Sequence, residues 1–170
     1  IQDGGHQLTE AFMAHYVNKA KGGAGQVTVG GMNVERIRSH DGMHTQFCLA
    51  DLENAYTCRD YIELANRIHF YGAAASLELL YMGHLEYNRD QLEVLEAQGT
   101  RFYEVVGYTR PDGYTVETMP PEEMQRIAEL YADAAAGAKK AGFDMILIHG
   151  GHGTFIEQFL SPLYNTRDDA

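Results

Sequence analysis

The stretch from Ala141 to Gly153 reads AGFDMILIHGGHG, a short apolar run followed by two histidines among glycines. The run Phe143–Ile148 is too short for a helix, and such runs are typical of strands in a parallel sheet covered by helices. Ligands collect at the carboxyl ends of parallel strands. The residues from His149 to Gly153 are therefore the first candidate for a functional site.

A helical pattern that ends in glycine and leads into a short apolar strand occurs three times. The three units are Thr9–Gly30, Cys58–Tyr81 and 120–148, with strands centred near residues 28, 78 and 146. Alternating helices and strands predict an α/β architecture with adjacent parallel strands. Three strands cannot close a barrel, so the sheet is either small and open or part of a barrel whose other strands lie outside the chain.

Two long segments, 32–57 and 84–118, show no firm hydrophobic period. Segments of this length without regular structure are uncommon in compact domains and are often functional. We expect the second one to be a surface excursion with its own small hairpin. Alternatively, its polar and aromatic residues line a site; these are Tyr103, Tyr108, Arg110 and Tyr114.

Composition restricts the classes of partner. The chain has 170 residues, enough for one domain, and a formal net charge of −11 with a sequence pI near 5.0. This charge disfavours nucleic acids and anionic membrane surfaces, which need clustered Lys and Arg. The sequence contains neither an apolar run of about 18 residues nor a charged-then-apolar leader. Cys48 and Cys58 form no disulfide framework and are interpreted as reduced thiols of a cytoplasmic protein.

His149 and His152 can be interpreted in three ways. Two imidazole donors could hold a carbonyl or phenolate oxygen and stabilise the negative charge that develops there. A zinc site would need a third protein ligand, and the spacing lacks the helix-borne acid of a metalloprotease. In the simplest interpretation, the two rings only cap the strand and bond to the backbone.

Glu78 and Tyr81 stand in the otherwise apolar strand Ala75–Tyr81 and would face opposite sides of a regular strand. A buried carboxylate is costly unless it is paired. Glu78 therefore either meets a Lys or Arg of a neighbouring strand or holds an amide or hydroxyl of a ligand. The isolated histidines are expected to face solvent or to pack on helices; they are His6, His15, His40, His44 and His69.

The chain resembles the old yellow enzyme-like NADH:flavin oxidoreductases, a family that includes 2,4-dienoyl-CoA reductases and trimethylamine dehydrogenase. Residues 141–153 are similar to the family stretch AGFDGVEIHGAHG, and residues 155–169 to LLxQFLSPxxNxRTDEYGG. Tyr16–Val29 resembles YxxRAKGGVGLIITG, and the stretch from His69 to Leu79 resembles VHxYGAKxxIELNHAG.

The resemblance implies a (β/α)8 TIM barrel with FMN at the carboxyl ends of its strands. Residues 1–170 would be a partial FMN-binding barrel domain with about the second to fourth strands. The remainder of the barrel and any C-terminal domain would lie outside this chain. We expect such a chain, alone, to aggregate, pair or stay partly unfolded, and not to retain FMN, because unpaired strand edges invite association.

The resemblance also implies roles for individual residues. His149 and His152 match the paired donors that bind the substrate's carbonyl or phenolic oxygen over the flavin. Glu78 matches the residue at the flavin pyrimidine edge, and the backbone at Gly30 approaches the flavin. Tyr81, at a position where many members have His, would contact substrate. Two further positions complete the comparison: Thr154 stands where the family often has a Tyr proton donor, and Arg167 matches an Arg that would support the rim.

The function implied is reduction of an activated C=C bond, in an enone, enoate or dienoyl thioester, by hydride transfer from reduced FMN with NAD(P)H as electron donor. The full-length protein would be a homo-oligomer acting on a small unsaturated carbonyl compound, with no metal ligands in this chain. An iron–sulfur cluster and FAD would have their ligands elsewhere in a longer protein. The alternatives are an amine dehydrogenase of the trimethylamine dehydrogenase type, with an aromatic cage for a cation, and a non-catalytic half-barrel.

Overall fold

The computed structural model describes residues 8–35 and 55–169. The helices are α1 (Glu10–Lys21), α2 (Ala55–Phe70), α3 (Arg89–Ala97), α4 (Pro121–Lys140) and α5 (Phe155–Leu160). The strands are β1 (Gln26–Asn33), β2 (Ala74–Leu80), β3 (Tyr103–Glu104), β4 (Tyr108–Thr109), β5 (Thr115–Thr118) and β6 (Met145–Ile148). No helix within these ranges is long and apolar enough to cross a membrane.

The described residues form two compact units. The first contains the residues up to Leu79 together with Leu130–Ile148, and the second contains Leu80–Glu129 together with the residues from His149 onward. The first unit is built on a sheet with the strand order β1-β2-β6. Strands β2 and β6 are parallel, with Glu78 opposite Leu147. The prediction of three adjacent strands near residues 28, 78 and 146 is confirmed.

Glycine-terminated helices cover this sheet as the sequence predicts. The Thr9 hydroxyl accepts the Phe12 N–H at the start of α1, and Gly142, after α4, has φ +92, which a residue with a side chain rarely adopts. Ile62 of α2 is 39% exposed and lies outside the buried stripe of this helix. The buried positions of α2 include Tyr61, Leu64, Ala65 and Ile68.

Strand β6 differs from its predicted environment. Met145, Leu147 and Ile148 are 40–50% exposed, whereas the apolar run predicted burial on both faces. The physical reason is the strand order, since β6 lies at an edge of the described sheet with β2 as its neighbour.

The second unit contains the long segment 84–118, which is more regular than its sequence suggested. The predicted hairpin is confirmed by the antiparallel pairing of β4 with β5. Helix α3 and the parallel pairing of β3 with β5 were not predicted. A cluster of apolar residues supports this arrangement; it comprises Tyr87, Leu92, Leu95, Phe102, Tyr114 and Val116.

Candidate functional site

Gly30 and Glu78 meet on neighbouring strands of the first unit. A Cβ atom added to Gly30 would lie 2.8 Å from the Glu78 Oε2 atom, closer than real Cβ contacts allow. The Gly30 N–H donates to the Tyr16 hydroxyl at 3.4 Å. Glu78 is half-buried between Leu77 and Leu79, both 0% exposed. Because Gly30 has no side chain, the Glu78 carboxylate can lie beside the backbone of β1. A carboxylate in this position can accept hydrogen bonds from the N–H groups of a ligand.

His149 and His152 lie together in the second unit, as the sequence predicts. Their rings stack with centroids 5.1 Å apart and an interplanar angle of 22°. The His152 Nδ1 and His149 Nε2 atoms are 3.1 Å apart. His152 has φ +60, and among the described residues it is the one non-glycine residue with a positive φ. A left-handed conformation at a residue with a bulky side chain is uncommon.

The contact between the two rings limits how many hydrogen bonds the pair can donate. One of the two facing nitrogens must carry the proton and the other must accept it. In a neutral pair, only one of the two remaining ring nitrogens then carries a proton. The neutral pair therefore carries one N–H outside this contact, and joint donation by both rings requires this contact to open or an additional proton.

A set of short hydrogen bonds fixes the glycine-rich turn that carries His152. The Gly153 N–H donates to Glu157 Oε2 at 2.6 Å, and Gln158 Nε2 donates to the Gly153 carbonyl at 2.6 Å. The Thr154 hydroxyl donates to the Gly151 carbonyl at 2.8 Å. Thr154 is buried and its proton is used within the turn, so it is a poor replacement for a tyrosine proton donor.

Tyr81 lies directly after β2 rather than within it, which corrects the predicted strand end. Its ring is 5% exposed and packs edge-to-face on Phe155, with centroids 5.4 Å apart. The same ring lies 3.2 Å from the position that a Cβ on Gly83 would occupy. Tyr81 is thus a buried packing residue near the start of α5.

A cavity of about 450 Å³ lies within the second unit, and His152 is part of its wall. Tyr108, from the 84–118 segment, also lines it. Burial, and next the charge of Glu104, raises the pKa of Tyr108, so its hydroxyl keeps its proton at neutral pH. Tyr114 instead belongs to the apolar cluster, where burial raises its pKa.

A polar group beside this cavity was missed by sequence reasoning. His84 is buried, and its Nε2 atom lies 2.7 Å from Glu104 Oε2; Glu104 lines the cavity. Arg110 Nη1 donates to the carbonyls of His84 and Tyr87 at 3.3 and 3.1 Å. Its distance to His84 Nδ1 is 3.5 Å. Twenty residues separate His84 from Glu104, and no local pattern pairs them.

Arg167 is hydrogen-bonded to the backbone directly after strands β3 and β5. Its Nη1 atom donates to the carbonyls of Val105 and Met119 at 2.8 and 2.6 Å, and its side chain is 8% exposed. The carboxylate of Asp169 accepts hydrogen bonds from Nε and Nη2 of the same guanidinium. These contacts to backbone carbonyls are structural support of the kind that the sequence comparison implied.

The remaining polar candidates lie elsewhere or outside the described residues. His69 Nε2 is 2.7 Å from Asp144 Oδ2, and the exposed His15 packs edge-on against Tyr16. Cys58 is a free thiol. Within the described ranges, no group of three His, Cys, Asp or Glu side chains could hold a metal ion. Four predicted positions fall on residues that the structure does not describe: His6, His40, His44 and Cys48.

Comparison with known proteins gives one family. The model of the NADH:flavin oxidoreductase / NADH oxidase family matches residues 1–170. An NADPH dehydrogenase of Listeria monocytogenes serotype 4b is 30% identical over 161 residues, which are 95% of this chain and 44% of that protein. The chain thus spans less than half the length of this relative.

Solved structures agree in fold. The old yellow enzyme of a Pichia species matches with a TM-score of 0.76 at 20% identity, covering 99% of this chain and 44% of that one. Histamine dehydrogenase of a Rhizobium species matches with a TM-score of 0.71 at 20% identity, covering 99% of this chain and 25% of that one. The predicted α/β fold, part of a (β/α)8 barrel, is confirmed.

Proposed function

Because the chain belongs to the NADH:flavin oxidoreductase / NADH oxidase family, we propose that its protein is an FMN-dependent oxidoreductase. It reduces a C=C bond conjugated to a carbonyl or thioester and takes its electrons from NAD(P)H. Residues 1–170 form part of the FMN-binding domain. The observation that best supports this proposal is the contact between His149 and His152. The ring of His152 lines the cavity of the second unit, as Tyr108 does.

Gly30 and Glu78 are the residues that would hold the flavin. The half-buried carboxylate of Glu78, which lies in the space left by the absent side chain of Gly30, suits a planar ring edge that carries N–H donors. When bound, FMN supplies the hydride that the reduction requires. The protein orients the ring and excludes competing reactions.

The histidine pair and Tyr108 would act on the substrate. An N–H of the pair donates to the carbonyl oxygen and stabilises the negative charge that forms as hydride reaches the β-carbon. The Tyr108 hydroxyl then passes its proton to the α-carbon and is reprotonated from solvent, to which its residue is 43% exposed. The product gains one hydride and one proton, so the charge balances. We also propose a cytoplasmic location, consistent with the free thiol of Cys58.

The test is to replace His149 with Ala in the full-length protein and to titrate its FMN-loaded form with 4-hydroxybenzaldehyde. Loss of one hydrogen-bond donor should raise the dissociation constant of this carbonyl ligand at least tenfold and leave the affinity for FMN nearly unchanged. His15→Ala is the matched control, since His15 is exposed on α1. An unchanged affinity for the aldehyde in the His149 variant would return the pair to a purely structural role.

Amine oxidation is the second candidate function. Glu104, Tyr108 and Tyr164 line the same cavity, and a carboxylate with aromatic rings is suited to a cation. The absorbance of the flavin under anaerobic conditions distinguishes the two functions. An amine dehydrogenase would bleach its flavin on addition of trimethylamine, whereas a C=C reductase would reoxidise its reduced flavin with 2-cyclohexen-1-one.

A further inference from the structure

The cavity of the second unit contains more hydrogen-bond acceptors than the proposed reaction uses. Gln158 is 5% exposed and lines this cavity. Its Nε2 atom donates to the Gly153 carbonyl, which fixes the orientation of the amide, because the opposite orientation would bring two oxygens together. Among the described residues, the buried Oε1 atom of Gln158 has no donor. An unpaired buried acceptor is costly, so it points to a missing donor.

Glu104 is a second acceptor in the wall, and its neighbours fix its orientation. Arg110 has only donors, so its contact with His84 Nδ1 makes that nitrogen the acceptor. The ring proton then lies on Nε2, which donates to Glu104 Oε2 at 2.7 Å. Val105 N–H donates to Oε1 at 3.3 Å. A carboxylate has about four lone-pair positions, so Glu104 retains acceptor capacity for a ligand.

Apolar surface completes the wall. Leu85, Val106, Leu163 and the ring of Tyr164 line the same cavity. A volume of about 450 Å³ lies in the range of small-molecule sites, which are mostly apolar with a few placed polar groups. Such a wall suits a ring or short hydrocarbon whose far end carries a hydrogen-bond donor.

We propose that this cavity is a specificity subsite that selects substrates bearing a hydroxyl or amine group remote from the reacting carbonyl, and that Glu104 and Gln158 accept hydrogen bonds from that group. The inference rests on the proposed function, which places the carbonyl at His149 and His152. A neutral hydroxyl and a protonated amine share the required chemistry, since both donate to an oxygen. His84 is a positioning residue that acts through Glu104.

Three acetophenones that differ at the para position test the proposal by calorimetric titration of the FMN-loaded full-length protein. The hydroxymethyl and dimethylaminomethyl compounds can donate a hydrogen bond, the latter as a cation, and the methoxymethyl compound cannot. We expect at least one donor compound to bind about tenfold more tightly than the ether. Which donor binds best distinguishes a hydroxyl from an amine substrate. Equal affinity for all three compounds would overturn the proposal.

Two variants locate the preference. Glu104→Gln should remove most of the preference for the amine, and Gln158→Met should reduce the preference for both donors. The preference is measured within each variant as the ratio of donor affinity to ether affinity, because the loss of the Gln158 bond to the Gly153 carbonyl can weaken the binding of all three compounds through the turn that carries His152. Glu117→Gln makes the same chemical change at an exposed position of β5 and is the control. An unchanged preference in whichever cavity variant folds would refute the assignment, so one folded variant is enough for the test.

The proposed function is tested separately with the unmodified protein. If it reduces neither an enone that bears a remote hydroxyl group nor 2-cyclohexen-1-one, which has no remote donor, the reductase proposal is wrong. If it reduces either compound but shows no preference among the three acetophenones, only the subsite proposal is wrong.

Discussion

Replacing Gly30 with Ala is the sharpest test of how the first unit would hold a flavin. The new methyl group would lie 2.8 Å from Glu78 Oε2, whereas ordinary contact begins at 3.4 Å. The carboxylate must therefore move by about 0.6 Å, the difference between those two distances. Because the end of a flexible side chain yields more easily than backbone, the fold should tolerate the change.

The expected loss is in cofactor affinity rather than in stability. A displacement of this size would weaken or break one hydrogen bond from Glu78 to the flavin edge, which is worth about 0.5–1.5 kcal/mol. The dissociation constant for FMN should then rise about two- to tenfold. Alanine also restricts the unfolded chain, which offsets part of any loss in the free energy of unfolding.

Gly25→Ala provides the matched control. Gly25 precedes β1, has no atom within 4 Å of its added Cβ, and does not need a positive φ. Its carbonyl accepts the Ala74 N–H at 2.9 Å, a bond that the substitution leaves in place. FMN affinity is measured by fluorescence titration of the full-length apoprotein of each variant. Equal FMN affinity in the two variants would refute the placement of the flavin edge at Glu78.

Four further perturbations have defined outcomes. Arg167→Met leaves two buried carbonyls without a charged donor and should lower the free energy of unfolding by about 3 kcal/mol in urea titrations. Asp144→Asn should cost less than about 1 kcal/mol at pH 7, since the pair with His69 is half exposed. The His69 contact lowers the pKa of Asp144 below its ordinary 3.8, so this stabilisation is present above that pH and disappears as the pH falls through the lowered value. His152→Gly should change the free energy of unfolding by less than about 1 kcal/mol, because relief of the strain at the positive φ offsets the greater entropy of the unfolded chain. The same variant should bind carbonyl ligands more weakly. Tyr108→Phe should lower kcat for enone reduction by about 10²-fold, and an unchanged kcat would exclude it as the proton donor.

Much of the first unit could be predicted because its signals are local. A glycine after each helix and an apolar run after each glycine define the elements without knowledge of distant contacts. The exposure of β6 could not be predicted in this way. Burial depends on which strands flank a run, and hydrophobicity along the chain does not contain that information.

The second unit was predicted less well, for two different reasons. Helix α3 carries a usable signal, since Asn88 and Gln91 form a capping box with both bonds at 3.0 Å. The pairing of His84 with Glu104 carries none, because twenty residues of helix and turn bring the two together. The histidine pair was found because its members are three residues apart, but the shared proton between the rings depends on their geometry.

The conformation of His152 connects the fold with the proposed chemistry. Glycines stand on both sides of the turn, and a glycine at position 152 would adopt φ +60 without cost. A histidine there bears strain of order 1 kcal/mol, which the hydrogen bonds of Thr154, Glu157 and Gln158 sustain. Such strain persists where a side chain is needed in a particular place. Here it places one imidazole against its partner ring and in the cavity wall, where the proposed reduction needs a donor.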